Sequence, residues 1–480
     1  MNNYLETFKE DFKDSFDVKY RQIQTPLGQA TLVFIDDLCS TDFISQYVVK
    51  PLTKESTAVK TPEDIVTKVL DINLAGEAKD MKDAQLHVLM GDLVIIFNDQ
   101  NKMIYCEVKS FARRGVGIPL TESVLKGPRE GFTEALVDNV ALLRRRIRNP
   151  DLKMEAMFMG KESKTSICVC YMKGIVPEEL LNEVKSKIKS LNYDFILDTN
   201  YIERALGNRK TFFDTVGYTE KPDEICAKIM EGRVAVIVDG TPFVITVPYF
   251  FLENFQTPDD YYLNMYFANF TRILRWIALF IGALLPGIYT AMITYHFSMI
   301  PAMFVYRLAV ARAGVPLPTF VEVILMMLFF QLVKEAGLRL PQPIGGAMSI
   351  VAGLILGDAA VAAGLASRTT IIVVAISSVS YFLIPRVYGA LSAWSLVLVA
   401  AAAAFGLIGF FIALMVLISH LGALRTGSYS YLFPLGTSEK YNFKDIIFRG
   451  DLRKISRKIL KKGVTTVALK SNIKEHKVAK

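Results

Sequence analysis

The chain has 480 residues, of which 52% are hydrophobic and 21% are charged, and its formal net charge is +8. The charge is distributed unevenly, because only ten Lys, Arg, Asp or Glu residues lie between Ile273 and Leu421. This length is enough for about three domains, and the long apolar stretch excludes a purely soluble globular protein. The composition therefore predicts a membrane protein with a large water-exposed N-terminal region.

The N-terminal region has the features of a cytoplasmic segment. Its first sixteen residues lack the apolar core and small-residue cleavage site of a secretory signal, so we expect this region to stay in the cytoplasm. All five cysteines lie in it without regular spacing, which favours reduced, buried thiols. Cys168 and Cys170 could form half of a metal site, but strand periodicity places both on one face, which favours core packing. We predict no metal and no cofactor.

The tail that begins at Arg425 is strongly basic. It contains fourteen Lys or Arg residues and four acids, a balance of 14 − 4 = +10. Basic residues beside the last span favour the cytoplasmic side, which predicts an even number of full spans. The tail is either a solvated basic helix or a segment that contacts anionic lipid headgroups. Nucleic-acid binding is not expected, because no aromatic interleaving or fold motif accompanies the charge.

The first half of the N-terminal region has an α/β pattern. The run ATLVFID predicts a strand, and Ser40 and Thr41 are good N-caps for the helix-like FISQYVVKPL. Residues 91–111 predict a hairpin that turns on Asn-Asp-Gln-Asn. Residues 134–148 predict a helix that stops before Asn149-Pro150.

A second α/β unit follows. SICVCYMKGIV predicts a buried strand, PEELLNEVKSKIKSLN a helix, and YDFILD another strand. Residues 232–248 predict a hairpin on an Asp239-Gly240 turn. Since both hairpins begin with Gly and turn on Asn or Asp, we interpret the region as two related α/β subdomains, 1–150 and 151–248.

The stretch 249–272 is rich in Phe and Tyr. Aromatic residues are enriched where protein meets lipid headgroups, so we predict an amphipathic interfacial helix that leads into the membrane. The alternative is an ordinary linker packed on the soluble domain.

Residues 273–421 predict an α-helical multi-pass membrane domain, followed by a basic cytoplasmic tail over 422–480. Four full spans plus two short or re-entrant elements satisfy the expected parity. The longest and most lipid-like segment is the last. The apolar segments are 273–295, 299–310, 320–333, 344–365, 370–383 and 392–421.

Two acids lie inside these segments, Glu322 and Asp358. A charge in hydrocarbon costs about 2.5–3.5 kcal/mol, so such residues are usually buried in protein or face water. Asp358 could also mark a helix break, with Gly357 ending one helix and Asp358 capping the next. Four arginines are either counter-charges or residues at the membrane interfaces: Arg307, Arg312, Arg368 and Arg386.

No arrangement of catalytic residues is present, so we do not expect an enzyme. KGPREGF lacks the spacing of a phosphate-binding loop and predicts a structural turn. A guanidinium can pair with a carboxylate across an interface, so Arg129, Glu130 and Gly131 are candidate subunit-contact residues. A pair that only stabilises the loop is an equal alternative.

A series of motifs spans the chain from about Leu32 to beyond Arg425. It includes LKGPREGFTEAL, NVALLRRRIRNPDL, EGRVAVIVDGTPFVITVP, FQTPDDYY, GVPLP, EAGLRLPQPIG, GLILGDAAVAAGLAS and SHLGALR. In this order they resemble the A subunit of the GerA-type spore germination receptors.

The resemblance implies a subunit of a nutrient-sensing complex in the inner membrane of the bacterial spore, with both termini cytoplasmic. The implied partners are a transporter-like B subunit and a lipoprotein C subunit. It also implies a homo-oligomeric ring that acts as a nutrient-gated ion channel. The candidate pore or gating residues are Glu322, Asp358, Gly357 and Glu335.

The sequence departs from the family pattern in the helix after GVPLP. Met327 and Gln331 stand where the family usually has acids, so ion selectivity or coupling can differ in this member. Two other functions fit the residues less well. A non-conducting scaffold would use the membrane domain only as an anchor, and a secondary transporter would need repeated halves, which the membrane region lacks.

Overall fold

The computed structural model describes residues 4–53, 59, 61–97, 100, 102–109, 122, 124–208, 210–339, 342–435, 445–450 and 452, with the backbone alone at 37, 338 and 342–350. The described residues form an N-terminal part with two five-stranded sheets and a helical part that follows it. The expected α/β region followed by a helical region is therefore confirmed.

The first sheet has the strand order β1-β2-β4-β5-β3, and every pairing in it is antiparallel. Both faces are covered by apolar side chains, so the strands are buried on each side. In chain order the elements are α1 (Tyr4–Asp11), β1 (Val18–Thr25), β2 (Gly28–Ile35), α2 (Thr41–Phe43), α3 (Lys50–Leu52), α4 (Pro62–Asp64), β3 (Ala75–Glu77), α5 (Met81–Leu89), β4 (Asp92–Phe97) and β5 (Lys102–Glu107).

The second sheet repeats this topology, with the order β6-β7-β9-β10-β8. The two predicted hairpins, β4–β5 and β9–β10, are confirmed, and they occupy equivalent places in the two sheets. The elements are α6 (Leu136–Arg146), β6 (Leu152–Met159), β7 (Thr165–Met172), α7 (Glu178–Lys189), α8 (Asn200–Leu206), β8 (Gly217–Thr219), α9 (Pro222–Met230), β9 (Val234–Val238) and β10 (Val244–Val247).

Two details of the second unit bear on the sequence predictions. YDFILD does not form a strand; the chain here bonds to the turn before β7 through the carbonyls of Tyr193 and Asp194. Ile196 packs into the core of the second sheet, but Phe195 and Leu197 on either side of it are at least half exposed. Cys168 and Cys170 lie on one buried face of β7 with their sulfur atoms 3.6 Å apart, as strand periodicity predicted.

The stretch 249–272 is not one continuous helix. Phe251–Phe255 is a buried 3-10 turn, Asp259–Tyr262 (α10) is a single helical turn, and a long helix begins only at Met265. The aromatic side chains of the first half pack into a core that also contains Tyr431. Exposed aromatic residues occur in the first two turns of the long helix: Tyr266, Phe267 and Phe270.

The helical part begins with α11 (Met265–Thr294), α12 (Ala302–Arg312), α13 (Thr319–Arg339), α14 (Gln342–Ala362) and α15 (Arg368–Ser380). Two helical segments of the described chain are long and apolar enough to cross a membrane, Met265–Thr294 and Pro385–Ala423. Shorter apolar helices lie at Val351–Ala362 and Arg368–Leu383.

The segment Tyr388–Ala423 (α16) is a helical hairpin and not one long helix. Phe405 and Gly406 have non-helical backbone angles. In a straight helix, Trp394 and His420 would be about 39 Å apart. Their ring centroids are instead 5.6 Å apart. The chain therefore reverses direction at Phe405-Gly406.

The two arms of this α16 hairpin, residues 388–404 and 407–423, touch through their backbones. A Cβ atom at Gly409 would collide with the carbonyl group of Ala401 in the other arm. The prediction of a single long span over 392–421 is therefore wrong. The region is uniformly apolar, so no polar residue marks the reversal in the sequence.

The chain leaves the N-terminal part at α11 and returns to it after the α16 hairpin. The return segment (residues 424–435, 445–450 and 452) contains a short ribbon of β11 (Arg425–Thr426) and β12 (Tyr429–Ser430). Tyr429 and Phe433 pack into one core of the second sheet. Both ends of the helical part therefore lie on the same side of it.

Gly406 should be essential for the α16 hairpin. Its φ is +61°, and a Cβ atom would lie 2.8 Å from Nε2 of His296 and 3.1 Å from Cβ of Tyr295. We predict that Gly406→Ala lowers the free energy of unfolding by about 1–3 kcal/mol, measured by thermal unfolding of the full chain in detergent. Gly389→Ala is the matched control, because its Cβ would meet nothing within 4 Å. Equal stability of the Gly406→Ala variant and the wild type would contradict this structure of the hairpin.

Candidate functional site at the junction of the two parts

The N-terminal and helical parts meet at a layer of buried charges, which we call the junction. At its centre lies Arg386, in the short turn between α15 and α16. Its guanidinium group donates to Oε1 of Glu122 and lies 3.3 Å from Oε2 of Glu224 in the first turn of α9. One cation of the helical part is thus held between two acids of the N-terminal part.

Each of these two acids also contacts residues of the N-terminal part, which hold its carboxylate in place. Glu122 also accepts hydrogen bonds from the backbone N–H of Glu220 and the hydroxyl group of Thr219. Glu224 pairs with Lys228 one turn later on α9, at 2.9 Å. Burial alone would raise the pKa of Glu224, but Arg386 and Lys228 outweigh it and hold this pKa well below its ordinary value. The carboxylate is therefore charged at neutral pH.

The charges continue along one wall of a cavity of about 530 Å³. Lys228 lies 3.5 Å from Glu253, and Glu253 pairs with Arg233 at 2.5 Å. Arg233 in turn pairs with Glu231 at 3.0 Å, and burial raises the pKa of Glu231 above its ordinary value. The row of alternating positive and negative side chains extends from Arg386 to the end of β10. There, Arg233 donates to the carbonyl of Pro248.

A second cluster fixes the start of α11. Asp260 of α10 accepts from both Arg272 and Arg275, at 3.1 and 2.8 Å. Arg272 also pairs at 2.7 Å with Asp445 of the return segment. Tyr261 donates to the same Asp445 at 2.7 Å. The first turns of α11 are therefore held by the segment that precedes them and by the segment that returns after the α16 hairpin.

The end of the hairpin is attached to the N-terminal part as well. Thr211 and His420 are hydrogen-bonded at 2.9 Å, and the backbone N–H of Tyr249 donates to Thr426 at 2.8 Å. The backbone N–H of Phe251 donates to the carbonyl of Tyr431. The junction thus contacts the helical part at three places, which are the start of α11, the turn at Arg386 and the end of the α16 hairpin.

The candidate subunit-contact residues lie beside this junction. Glu130 pairs with Arg146 at 2.6 Å in its own chain, so its carboxylate stabilises the loop. Gly131 is buried, and Arg129 is exposed with no ion pair among the described residues. A subunit contact by Arg129 remains a prediction.

The loop that carries these residues packs on α10. Gly127 has a φ of +121°, and a Cβ there would lie 2.5 Å from the ring of Tyr262. The backbone N–H of Leu125 donates to Asp259 at 3.0 Å. The structural turn predicted for KGPREGF is thus a contact between the N-terminal part and the segment that leads into α11.

Glu322 is fully buried in the helical part. Its carboxylate accepts from Arg312 at 3.1 Å, from the backbone N–H of Ser367 at 3.0 Å and from the hydroxyl of Thr370 at 3.0 Å. Arg312 is thus one of the predicted counter-charges. These contacts join the ends of α12, α13 and α15 at the end of the helical part away from the junction.

Of the other candidate pore residues, Asp358 and Glu335 are exposed and Gly357 is buried. Asp358 is exposed on α14 and has no ion pair among the described residues, and Glu335 is exposed and pairs with Arg339 at 2.6 Å. α14 continues as a regular helix through Gly357 and Asp358, so the helix break expected there does not form. Gly357 is buried, and a Cβ there would lie 3.7 Å from Ile371, which suits close packing of α14 on α15.

Sequence reasoning did not identify the residues of the junction. The sequence predicts Arg386 to be either a counter-charge or a residue at a membrane interface and indicates no partner, because its acids Glu122 and Glu224 lie more than 160 positions earlier. A weak signal existed at α11, where Asp260 precedes Arg272 by 12 positions and Arg275 by 15 positions. Charges of opposite sign on both sides of a linker indicate an ion-pair cluster.

Comparison with known proteins identifies the family. The family model described as Bacillus/Clostridium GerA spore germination protein matches residues 6–459 of this chain. The chain therefore belongs to the GerA family, as its motifs predicted, and this membership supports a role in spore germination.

Individual relatives cover most of the chain. The chain is 33% identical over 457 residues to spore germination protein KA of Bacillus subtilis (strain 168), which covers 93% of this chain and 84% of that protein. It is 32% identical to the uncharacterized membrane protein YfkQ of the same organism, over 90% of this chain and 85% of that protein. Among solved structures, the N-terminal domain of the A subunit of the Bacillus megaterium germinant receptor GerK3 is 27% identical, with a TM-score of 0.40, and the match covers 52% of this chain and 94% of that domain.

Removal of Arg386 should separate the two parts. Arg386→Ala leaves Glu122 and Glu224 facing each other without their shared cation, and breaking a buried pair in this way costs about 3–5 kcal/mol. We expect a lower unfolding temperature of the full chain in detergent and faster proteolysis between the two parts. Arg339→Ala is the control, because its pair with Glu335 is exposed and is worth at most about 1 kcal/mol. Similar losses in the two variants would contradict a structural role of the junction.

Proposed function

We propose that this chain is the A subunit of a nutrient receptor in the inner membrane of the spore. It would pass the signal of nutrient binding to a membrane channel built from several copies of the chain. Its partners would be a transporter-like B subunit and a lipoprotein C subunit. Membership of the GerA family supports this role, and the junction is the single structural observation that carries the proposed mechanism.

The proposed membrane arrangement follows from the direction of the helices. α13 starts beside Thr370 and Tyr289 at the far end, and Lys334 near its other end lies over the ring of Tyr388 beside the junction. α11, α13, α14, α15 and the two arms of the α16 hairpin thus alternate in direction and make six passes. An even number fits a chain whose helical part begins and ends on the same face, and basic residues in the tail favour the cytoplasm for that face.

The lengths of the helices fit this arrangement. α13 and α14 have 21 residues each, or about 32 Å, which matches the hydrocarbon core of a bilayer. Each arm of the hairpin is shorter, at about 25 Å, and α15 continues through the turn Tyr381–Leu383. Six closely packed passes replace the four full spans and two short elements expected from hydropathy.

The ion path is proposed to run along the exposed face of α14. Asp358 lies there between exposed apolar residues, and an unpaired carboxylate at membrane depth needs water or a partner. Several copies arranged around an axis would supply a ring of carboxylates, which selects cations. Glu322 is less suited to this role, because Arg312, Ser367 and Thr370 already occupy its carboxylate.

The junction would transmit the signal. A rearrangement of the N-terminal part moves Glu122 and Glu224 and displaces Arg386, since the ion pairs bind these groups together. Arg386 lies between α15 and the hairpin, so its displacement tilts both against α11 and α13. The alternative, a non-conducting scaffold, is favoured by the large N-terminal surface and needs no such movement.

The proposed channel is tested by germination of spores and by the current across a lipid bilayer. We expect spores that lack the chain to lose germination on at least one nutrient of a panel, followed by the fall in optical density. In a bilayer, the assembled complex should pass cations when that nutrient is added, and Asp358→Asn should reduce the current several-fold.

Ala359→Ser is the matched control, since Ala359 is an exposed neighbour on the same helix. A silent bilayer with a demonstrably assembled complex would rule out the channel. Normal germination with Asp358→Asn would favour the scaffold.

A further inference from the structure

A cavity of about 650 Å³ lies at the far end of the helical part, opposite the junction. It lies between α12, the last turn of α14 and the first turn of α15. Among the residues that line it are Tyr306, Arg307, Val310, Val361 and Arg368. No acid is among the described residues that line it.

The two arginines of this cavity have no ionic partner. Neither Arg307 nor Arg368 lies within 4.0 Å of a carboxylate of the described residues. Arg312, which is adjacent in the fold, is different because it pairs with Glu322. Even there, the Nε atom of Arg312 is buried without a hydrogen-bond partner. Arg307 and Arg368 are both exposed, so their guanidinium groups are accessible to a ligand that approaches the cavity from outside. A guanidinium group presents a planar fork of donors that fits the oxygens of a phosphate or a carboxylate.

The N-terminus of α15 lies at this cavity but is already occupied by a carboxylate. Arg368 is the first residue of α15, a helix of 13 residues capped by Ser367. Glu322 accepts hydrogen bonds from the N–H group of Ser367 and from the hydroxyl group of Thr370, so it offsets the positive end of the helix dipole. The anion site therefore depends on the two guanidinium groups and not on the helix dipole.

The position of these arginines is unusual for a membrane protein. The two connections at the far end, residues 296–318 and 362–369, contain three arginines and no acid. Basic residues are normally concentrated on the cytoplasmic side, and in the proposed arrangement this end lies on the opposite side. Arg312 is paired with Glu322, and an anion bound by Arg307 and Arg368 accounts for the other two.

We propose that this cavity binds a phosphate group, supplied by the headgroup of an anionic phospholipid. Arg307 and Arg368 hold the phosphate oxygens, and the cavity lies at the level where headgroups are found. Large exposed apolar side chains occur on α12 and α14, the two helices that contribute Arg307 and Val361 to the cavity, and they can contact the acyl chains: Met303, Phe304, Leu354 and Ile355. The inference rests on the proposed membrane arrangement but not on channel activity, partners or nutrient.

Lipid binding by the purified full chain tests this site. We expect phosphatidylglycerol in mixed micelles to bind more tightly than phosphatidylcholine, measured by native mass spectrometry and by the shift in unfolding temperature. The double variant Arg307→Gln/Arg368→Gln should weaken phosphatidylglycerol binding about thirtyfold, because each arginine near an anionic surface contributes about 1 kcal/mol. Arg307→Lys/Arg368→Lys should retain most of it, and Arg339→Gln is the control on the other side.

A second arm distinguishes the source of the phosphate. If inorganic phosphate does not reduce the binding of phosphatidylglycerol, the phosphate group is supplied by the lipid headgroup. Competition by inorganic phosphate, lost in the double Gln variant, supports a phosphate site filled by the free ion. Equal lipid binding by the wild type and a folded double Gln variant, with circular dichroism unchanged, would overturn the proposal. Bilayer currents are not used, so this outcome is independent of the channel.

Discussion

The position of the whole helical part depends on how the buried charges of the junction are paired. Arg386 comes from the helical part, and its two acids come from the N-terminal part. A buried cation without its acids would cost several kcal/mol, so neither part can take its place without the other. The same constraint acts at α11, where Asp260 and Asp445 surround Arg272. The junction therefore sets the tilt of α11, the end of α15 and the base of the α16 hairpin together.

The α16 hairpin returns the chain to the junction. A single long helix would end at the far end of the helical part, whereas the hairpin brings the chain back to the junction. The return segment can then bind to the second sheet and to α10, which closes the chain on itself. Its reversal depends on one backbone conformation at Gly406. Tyr295 at the end of α11 donates to the carbonyl of Ala403 at 2.8 Å and so satisfies a group that the reversal leaves free.

The sequence predicts those features that depend on neighbours along the chain. The β9–β10 hairpin follows from Asp239-Gly240, because only a few residues permit a tight turn with positive φ. Reversal at Phe405-Gly406 could not be predicted, because glycine is common in membrane helices and here lies in an unbroken apolar run. Arg312 could be predicted as a counter-charge of Glu322, but the partners on α15, Ser367 and Thr370, could not, because helix packing brings them to Glu322 from more than 40 positions away. The motifs identified the family, but the charges of the junction become visible only when distant segments meet.

In the proposed function, a nutrient signal crosses the junction as a movement of the N-terminal part against the helical part. Cysteines at Thr211 and His420, joined by a short reducible thiosulfonate cross-linker, would fix the end of the hairpin to the N-terminal part. The five native cysteines are buried and should not react. We expect the cross-linked complex in a bilayer to lose its nutrient response and to regain it on reduction, whereas each single cysteine variant responds normally. A full response of the cross-linked complex would contradict the account.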